Sequence, residues 1–476
     1  MYARYFPLTL IIFFLFILQG CEEVEDSPAI ITFDLSRTQQ EFMGFGAQIW
    51  GYNDNPSVDL ETILKGLNIR YVRITRESAT WDQLAATRQV TDGLGIQWVT
   101  MIWSAPQQFR DERGLLRDVN GFADWWVSEV AEFDGHNMRP HFIELMNEPD
   151  SDGNWSTGID PPTYNTLVKA VRQGLDERGF FDVGIVGPGL THLDWSNHSG
   201  RWIGALDEEA VQALAVWSTH SWDDGDLCRG GAGCIERQWP SFEGAVTAQD
   251  PAKPIFLTEY ATKENTFHGM TYPHPDRYMD SGGNEGFEVY YYSATFTHSY
   301  AVRVFENTLA HLNNGVNVPF IWQLVDEPTE VAYMKKSWGL VDLEGNLKPV
   351  YQALQTLLFT IPVGAKVIGP PMQTDNSLYA GGFIYQDSVI IAIANDDDQA
   401  HDATVYLTQL GRKLRIVESV AYRLAQRGDP GNGEADTGQV YPLNITLVEE
   451  NSAGDYSFSV ALPAESTITI VLASGP

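Results

Sequence analysis

"HFIELMNEPD", residues 141–150, sets an apolar run directly against a cluster of polar and acidic residues. His141 to Met146 read as a buried strand with one carboxylate, Glu144, embedded in it. Asn147, Glu148 and Pro149 close the run. Pro149 biases the residue before it toward extended backbone, which would fix the approach of the Glu148 carboxyl. By itself the stretch is an acidic turn after a strand. Whether it is more depends on what lies on either side.

Seven further β-rich runs share its character: "FMGFGAQIW" (42–50), "IRYVRIT" (69–75), "IQWVTMIWSAP" (96–106), "VGIVGPG" (183–189), "ALAVWSTHSW" (213–222), "PIFLTEYA" (254–261) and "VPFIWQLVD" (318–326). Amphipathic stretches such as "GFADWWVSEVAEF" (121–133) and "PPTYNTLVKAVRQGL" (161–175) separate them, the second opening with Pro at its first turn. Strands alternating with helices imply parallel βαβ units, and eight of them predict an α/β chain built on a (β/α)8 TIM barrel over 42–362. A doubly wound open sheet is the alternative, but no Gly-rich phosphate loop follows the first strand. Beyond that point come short runs rich in Val, Ile, Thr and Tyr, such as "DSVIIAIAND" and "STITIVLAS", broken by Asp, Asn, Gly and Pro. They predict a C-terminal antiparallel β-sandwich domain over 363–476. The strand-like 29–41 precedes the barrel and is expected to pack on the sandwich.

The 476 residues carry a formal net charge of −33, which argues against nucleic acid or an anionic membrane surface as partner. At the N-terminus, Arg4 and the apolar "LTLIIFFLFIL" (8–18) form a signal peptide over 1–20, too short for a comfortable membrane span. "LQGC" (18–21) resembles the lipobox of bacterial lipoproteins. That resemblance implies cleavage before Cys21, lipidation of Cys21, an acidic tether over 21–28, and a chain anchored in the bacterial envelope, at the outer membrane and exposed on the cell surface. Cys228 and Cys234 remain, in "CRGGAGC"; in an exported chain a local disulfide is expected over a zinc site, which would lack clustered His partners.

In a barrel of this kind the active site sits at the C-terminal ends of the strands. Glu148 ends the fourth run and Glu259 the seventh, 259 − 148 = 111 residues or three βα units apart, so they face each other across the mouth. Two opposed carboxylates are what glycosidic cleavage needs: one donates a proton to the leaving oxygen, the other attacks the anomeric carbon or activates water. Asn147 adds a neutral amide suited to a sugar hydroxyl. No metal-ligand cluster, Ser-His-Asp pattern or cofactor loop competes, so no metal and no cofactor are expected.

"LMNEP" and "LTEYA" resemble the clan A glycoside hydrolases, retaining enzymes on (β/α)8 barrels. The resemblance implies that Glu148 is the acid/base and Glu259 the nucleophile. It places Arg73, in "IRYVRI", beside the nucleophile, and His220, in "WSTHSW", at a strand-six position that contacts it. Trp322, in "FIWQ", would be an aromatic platform for the sugar. "WGLVDLEGNLKPVYQAL" (338–354) is similar to the segment leading into the last barrel helix. "GFGAQIW" (44–50), "WSAP" (103–106) and the trailing sandwich tilt the likeness toward family 30 and its relatives.

Each reading has a plainer rival. Glu144 and Arg73 could be a buried structural pair, and His220 an orienting contact. Trp50, Trp103, Trp155, Trp217, Trp222 and Trp338 compete with Trp322 as sugar platforms, Trp103 foremost, and several must be core. Asp223, Asp224, Glu264, Asp326 and Glu327 follow strand ends as loop residues that shape binding or are merely solvated. The expected function is a monomeric retaining endo-type β-glycoside hydrolase acting by double displacement on a polysaccharide such as xylan, β-glucan or a β-galactan like agar or porphyran. The alternatives are a non-catalytic glycan-binding surface lipoprotein and an exo-acting β-glycosidase or transglycosidase.

Overall fold

The computed structural model describes residues 28–50, 58–77, 79–151, 157–191, 198–222, 232–268, 270–272, 293–328, 335–374, 378–409, 411–428, 435–451 and 454–475. Cys21, Trp155, Asp223, Asp224 and Cys228 lie outside them, as does the side chain of Cys234. The lipidation and disulfide expectations therefore fall outside the described residues.

Eight parallel strands close into a barrel: Phe45–Trp50, Ile69–Thr75, Gln97–Met101, Phe142–Glu144, Gly184–Leu190, Val216–Trp222, Ile255–Ala261 and Val318–Ile321. Closure is made by the eighth strand on the first, with Phe320 opposite Gly46. Tyr71, Val99, Val186, Val216, Phe256, Val318 and Phe320 form a separate apolar cluster inside the barrel. Branched and aromatic side chains at every second residue fill this floor, as the pleat dictates. Gly46 leaves room for it: a Cβ there would lie 2.4 Å from the Phe320 ring.

Two strands are shorter than their apolar runs. The fourth stops at Glu144, because Asn147 N–H donates to Ile102 O at 3.0 Å and Glu148 N–H to Gly189 O at 3.1 Å. The chain there stitches the third and fifth strand ends together instead of continuing a ladder. The eighth stops at Ile321.

After the barrel, a seven-stranded and a five-stranded sheet enclose their own core, including Phe33, Ile391, Val405, Phe458 and Ile470. Ala29–Asp34 pairs parallel with His401–Thr408, and Thr38–Glu41 antiparallel with Lys366–Ile368, so the N-terminal strands belong to these sheets. The seven-stranded sheet lies against the last two barrel helices: Phe383, Ile390 and Tyr422 share one cluster with Leu309 and Leu354 of His298–Asn313 and Pro349–Leu358.

Asp326 is not a solvated loop acid. It is 1% exposed and pairs with Lys348, Nζ to Oδ2 2.7 Å, while the same ammonium donates to Ser337 O at 2.7 Å. This pair pins the 338–348 segment under the barrel mouth. Lys348→Met should cost about 3–5 kcal/mol in urea unfolding, because it strands a buried carboxylate. Adding Asp326→Asn should recover part of that loss, and no recovery would refute the pairing as the cause.

His311, on the helix His298–Asn313, is buried edge-on to Tyr260 at 5.3 Å. Burial pushes its imidazole down from 6.5 to about 3. The folded state therefore refuses a proton that the unfolded chain accepts, and stability is lost as pH falls below 6.5. Between pH 7 and 5 this one group should remove about 2 kcal/mol, measurable as a falling urea midpoint. His311→Phe should show a drop smaller by that amount; an equal drop would contradict the assignment.

Candidate active site

The site stands on the barrel floor. Two residues beyond Tyr71, Phe142 and Val216 on their strands, and again beyond, the inward positions turn polar: Arg73, Glu144, Ser218 and His220. Strand seven departs from simple alternation. Phe256 points inward, so Glu259 should point outward, yet the register shifts there: Leu257 pairs with Thr219 and Glu259 with His220, leaving Thr258 opposite no residue. Such a bulge re-aims a side chain. As a result both Thr258 and Glu259 reach the centre. Thr258 Oγ1 donates to Glu144 Oε1 at 2.7 Å.

Arg73, with no exposed surface, is the hub. Its Nε donates to Glu144 Oε2 at 2.6 Å, Nη1 to Glu259 Oε2 at 3.0 Å and Nη2 to Asn147 Oδ1 at 2.7 Å. Gln48 Oε1 accepts from Nη1 at 3.3 Å. The plain reading of Arg73 as a partner for Glu144 and the reading beside Glu259 are both realised, by different nitrogens of one guanidinium. A rigid five-donor fork is suited to this, since its fixed geometry holds four side chains at once.

Glu148 and Glu259 are 4% and 6% exposed. Each offers an oxygen, and His220 a ring nitrogen, all within 4.8 Å of one another. His220 Nδ1 lies 3.0 Å from Glu148 Oε1 and 3.9 Å from Glu259 Oε2. The expected contact of His220 with Glu259 is thus the longer one; its hydrogen bond is to Glu148. Burial disfavours the imidazolium, but the charge of Glu259 and the bond and charge of Glu148 outweigh it and lift His220 above 6.5. Burial also raises the Glu259 carboxyl above 4.5, against the pull of His220 and Arg73. By spacing these three could hold a metal ion. The Arg73 guanidinium already places a fixed positive charge against Glu259, which opposes a dication.

Glu148 is not extended. Its φ is +45°, in the left-handed region that non-glycine residues seldom occupy. The bias from Pro149 is overridden because Glu148 is bonded at both ends, N–H to Gly189 O and C=O from Ser151 N–H at 2.9 Å. Unusual backbone held by its surroundings gathers at functional positions. Gly189 itself has φ +67°, and a Cβ there would lie 2.4 Å from Glu144 Oε1.

Tryptophans line the mouth. Trp322 stands edge-on to Trp50 at 5.9 Å and to Trp103 at 5.4 Å, and Trp222 packs on Trp338 at 5.2 Å. Arg73 Cζ is 5.9 Å from the Trp103 ring. Trp217 is fully buried and is core. Sequence reasoning missed two contacts. Trp222 Nε1–H donates to Glu259 Oε1 at 3.1 Å, and Gln48 joins the Arg73 network. Gln48 had a signal: an amide in an otherwise apolar strand end, one strand from Arg73.

No protein-family model matches the chain, and no curated protein matches it in sequence. Solved structures do match. A family 30 endoxylanase from Clostridium papyrosolvens superposes with a TM-score of 0.63 at 15% identity, over 94% of this chain and all of its own. An endo-β1,6-glucanase gives 0.60 at 14% identity over 94% of each chain. The fold is shared with family 30 glycoside hydrolases. It is shared also with a family 51 α-L-arabinofuranosidase from Bifidobacterium longum, TM-score 0.60 at 14% identity, over 94% of this chain and 99% of that one. The match spans barrel and sheets together, so the β-rich C-terminal part is common architecture.

Proposed function

We propose that the chain is a retaining β-glycoside hydrolase that cleaves a polysaccharide internally by double displacement. The observation that carries this reading is the separation of Glu148 and Glu259, with oxygens within 4.8 Å. Retaining pairs stand about 5–5.5 Å apart, and inverting pairs about 6.5–9.5 Å, to leave room for a water. The solved neighbours, an endoxylanase and an endo-β1,6-glucanase among them, support the class of reaction.

Glu259, bonded to Arg73 and Trp222, is the nucleophile. Both donors hold its attacking carboxylate without competing for the anomeric carbon. Glu148 protonates the leaving oxygen and then takes a proton from water. His220 Nδ1, between the two, faces an anion at each stage: Glu259 before glycosylation and Glu148 after it. The negative charge changes place by one side chain while its counter-ion stays fixed, which limits reorganisation in a buried site. Asn147, its oxygen held by Arg73, stands beside Glu148 as a polar contact for a sugar hydroxyl. Trp322 and Trp103 supply stacking faces for the sugar ring.

We also propose that the mature chain is monomeric and tethered through Cys21 to the bacterial envelope. No helix among the described residues is long and apolar enough to cross a membrane. Incubation with xylan, β-1,3- and β-1,6-glucan, agar and porphyran, followed by product sizing and proton NMR, tests the function. Oligomers of falling length with the β anomer formed first are expected. An α anomer formed first would refute retention, single-sugar release would favour exo action, and binding without new reducing ends would leave only the glycan-binding lipoprotein.

A further inference from the structure

The segment that follows the seventh strand is held by the C-terminal sheets. It begins beside Glu259, where Lys263 Nζ lies 5.0 Å from the centre of the Trp222 ring, the ring whose N–H donates to Glu259. Glu264 N–H donates to Thr262 Oγ1 at 3.1 Å, and Glu264 reaches Arg303 Nε at 3.6 Å. Arg303 in turn pairs with Asp396, which follows the strand Ser388–Asn395 of the seven-stranded sheet. At the tip, His268 Nε2 lies 3.0 Å from Oε1 of Glu465, in the turn before Ser466–Ser474. Glu465 also takes Arg427 Nη2 at 3.0 Å and the Ser299 hydroxyl, and is 7% exposed. Between segment and sheets is a cavity of about 280 Å³, lined by Glu264, Thr266, His268, Arg303 and Asp396 among others. Phe267 packs into the main core, and the two polar anchors tie the segment on either side of it to the C-terminal sheets.

We propose that the C-terminal sheets are part of the catalytic apparatus: Asp396, through Arg303, and Glu465, through His268, are positioning residues that hold the 262–268 segment so that Lys263 presses Trp222 onto Glu259. This rests on Glu259 being the nucleophile of a glycosidase. Glu259 is faced by Arg73 and Glu144 from strands two and four, by Glu148 beyond strand four, and by His220 and Trp222 from strand six. Of these contacts, the one from Trp222 is the one the segment governs.

The test uses the full enzyme and the polysaccharide it hydrolyses fastest. His268→Ala removes the segment's own half of the tip anchor, at a side chain about a quarter exposed. kcat/KM should fall about tenfold. The acid limb of its pH profile, which reports ionisation of Glu259, should move to higher pH by about 0.5, since a donor to the carboxylate is loosened. His268→Gln keeps an N–H for Glu465 and should restore the limb. A loss of packing alone would lower the melting temperature and leave the limb in place. A limb that coincides with wild type in His268→Ala overturns the proposal, whatever its rate. A wild-type enzyme that cleaves nothing overturns the glycosidase reading instead.

Discussion

Replacing Glu259 by Ala should abolish retaining turnover, with kcat/KM lower by about 10⁴-fold or more. The loss is chemical, because no other group can take its place at the anomeric carbon. Arg73 and Trp222 offer only donors at that position, and Glu144 is engaged with Arg73 Nε and the Thr258 hydroxyl. Overall stability should change little, since deleting the carboxylate also relieves a cluster in which Glu144 and Glu148 raise its proton affinity. Added azide should fill the vacated space from the face opposite the leaving group, giving an α-glycosyl azide from an activated β-glycoside. Residual turnover within about tenfold of wild type would remove Glu259 from the reaction.

Replacing Glu148 by Ala should have an effect that depends on the leaving group. Polysaccharide hydrolysis should fall about 10³–10⁴-fold, since an alkoxide must then leave without a proton. A dinitrophenyl glycoside, whose leaving group needs none, should still glycosylate Glu259. Its hydrolysis should stall at the intermediate, because general-base help to water is missing too. Azide should release the stall and give a β-glycosyl azide, entering on the face where Glu148 stood. Equal losses on both substrates would mean that Glu148 positions and does not transfer protons.

Much of the barrel was legible because it obeys short-range rules. "IRYVRIT" coincides with the strand Ile69–Thr75, since a short run rich in β-branched and aromatic residues suits a strand buried on both faces. The strand read over His141 to Met146 ends two residues early, at Glu144, as apolar character persists through Leu145 and Met146 after the ladder ends. Burial alone does not separate a strand from a buried connection.

Glu148 and Glu259 could be found as strand-end acids at a barrel mouth, but the means of aiming them could not. The left-handed backbone of Glu148 depends on hydrogen bonds to Gly189 and Ser151, and the inward turn of Glu259 on a bulge at Thr258. Gly189, and the strand-six residues Thr219 and His220 that flank the bulge, are distant in sequence. The same holds for the bond of His220 to Glu148 and for the burial of Asp326 against Lys348, 22 residues away. Side-chain reach across a closed barrel follows from stagger and twist, which local patterning does not carry.

The central claim is that Glu259 becomes covalently bonded to the sugar. Incubation with 2-deoxy-2-fluoro glycosides of activated leaving groups, matched to the preferred glycan, slows the second step and traps that ester. Peptide mass mapping should then place one added sugar on the segment containing "FLTEYA", at Glu259, and Glu259→Gln should take up none. A label on Glu148, or full turnover of the trap with no adduct and an inverted first product, would contradict the account.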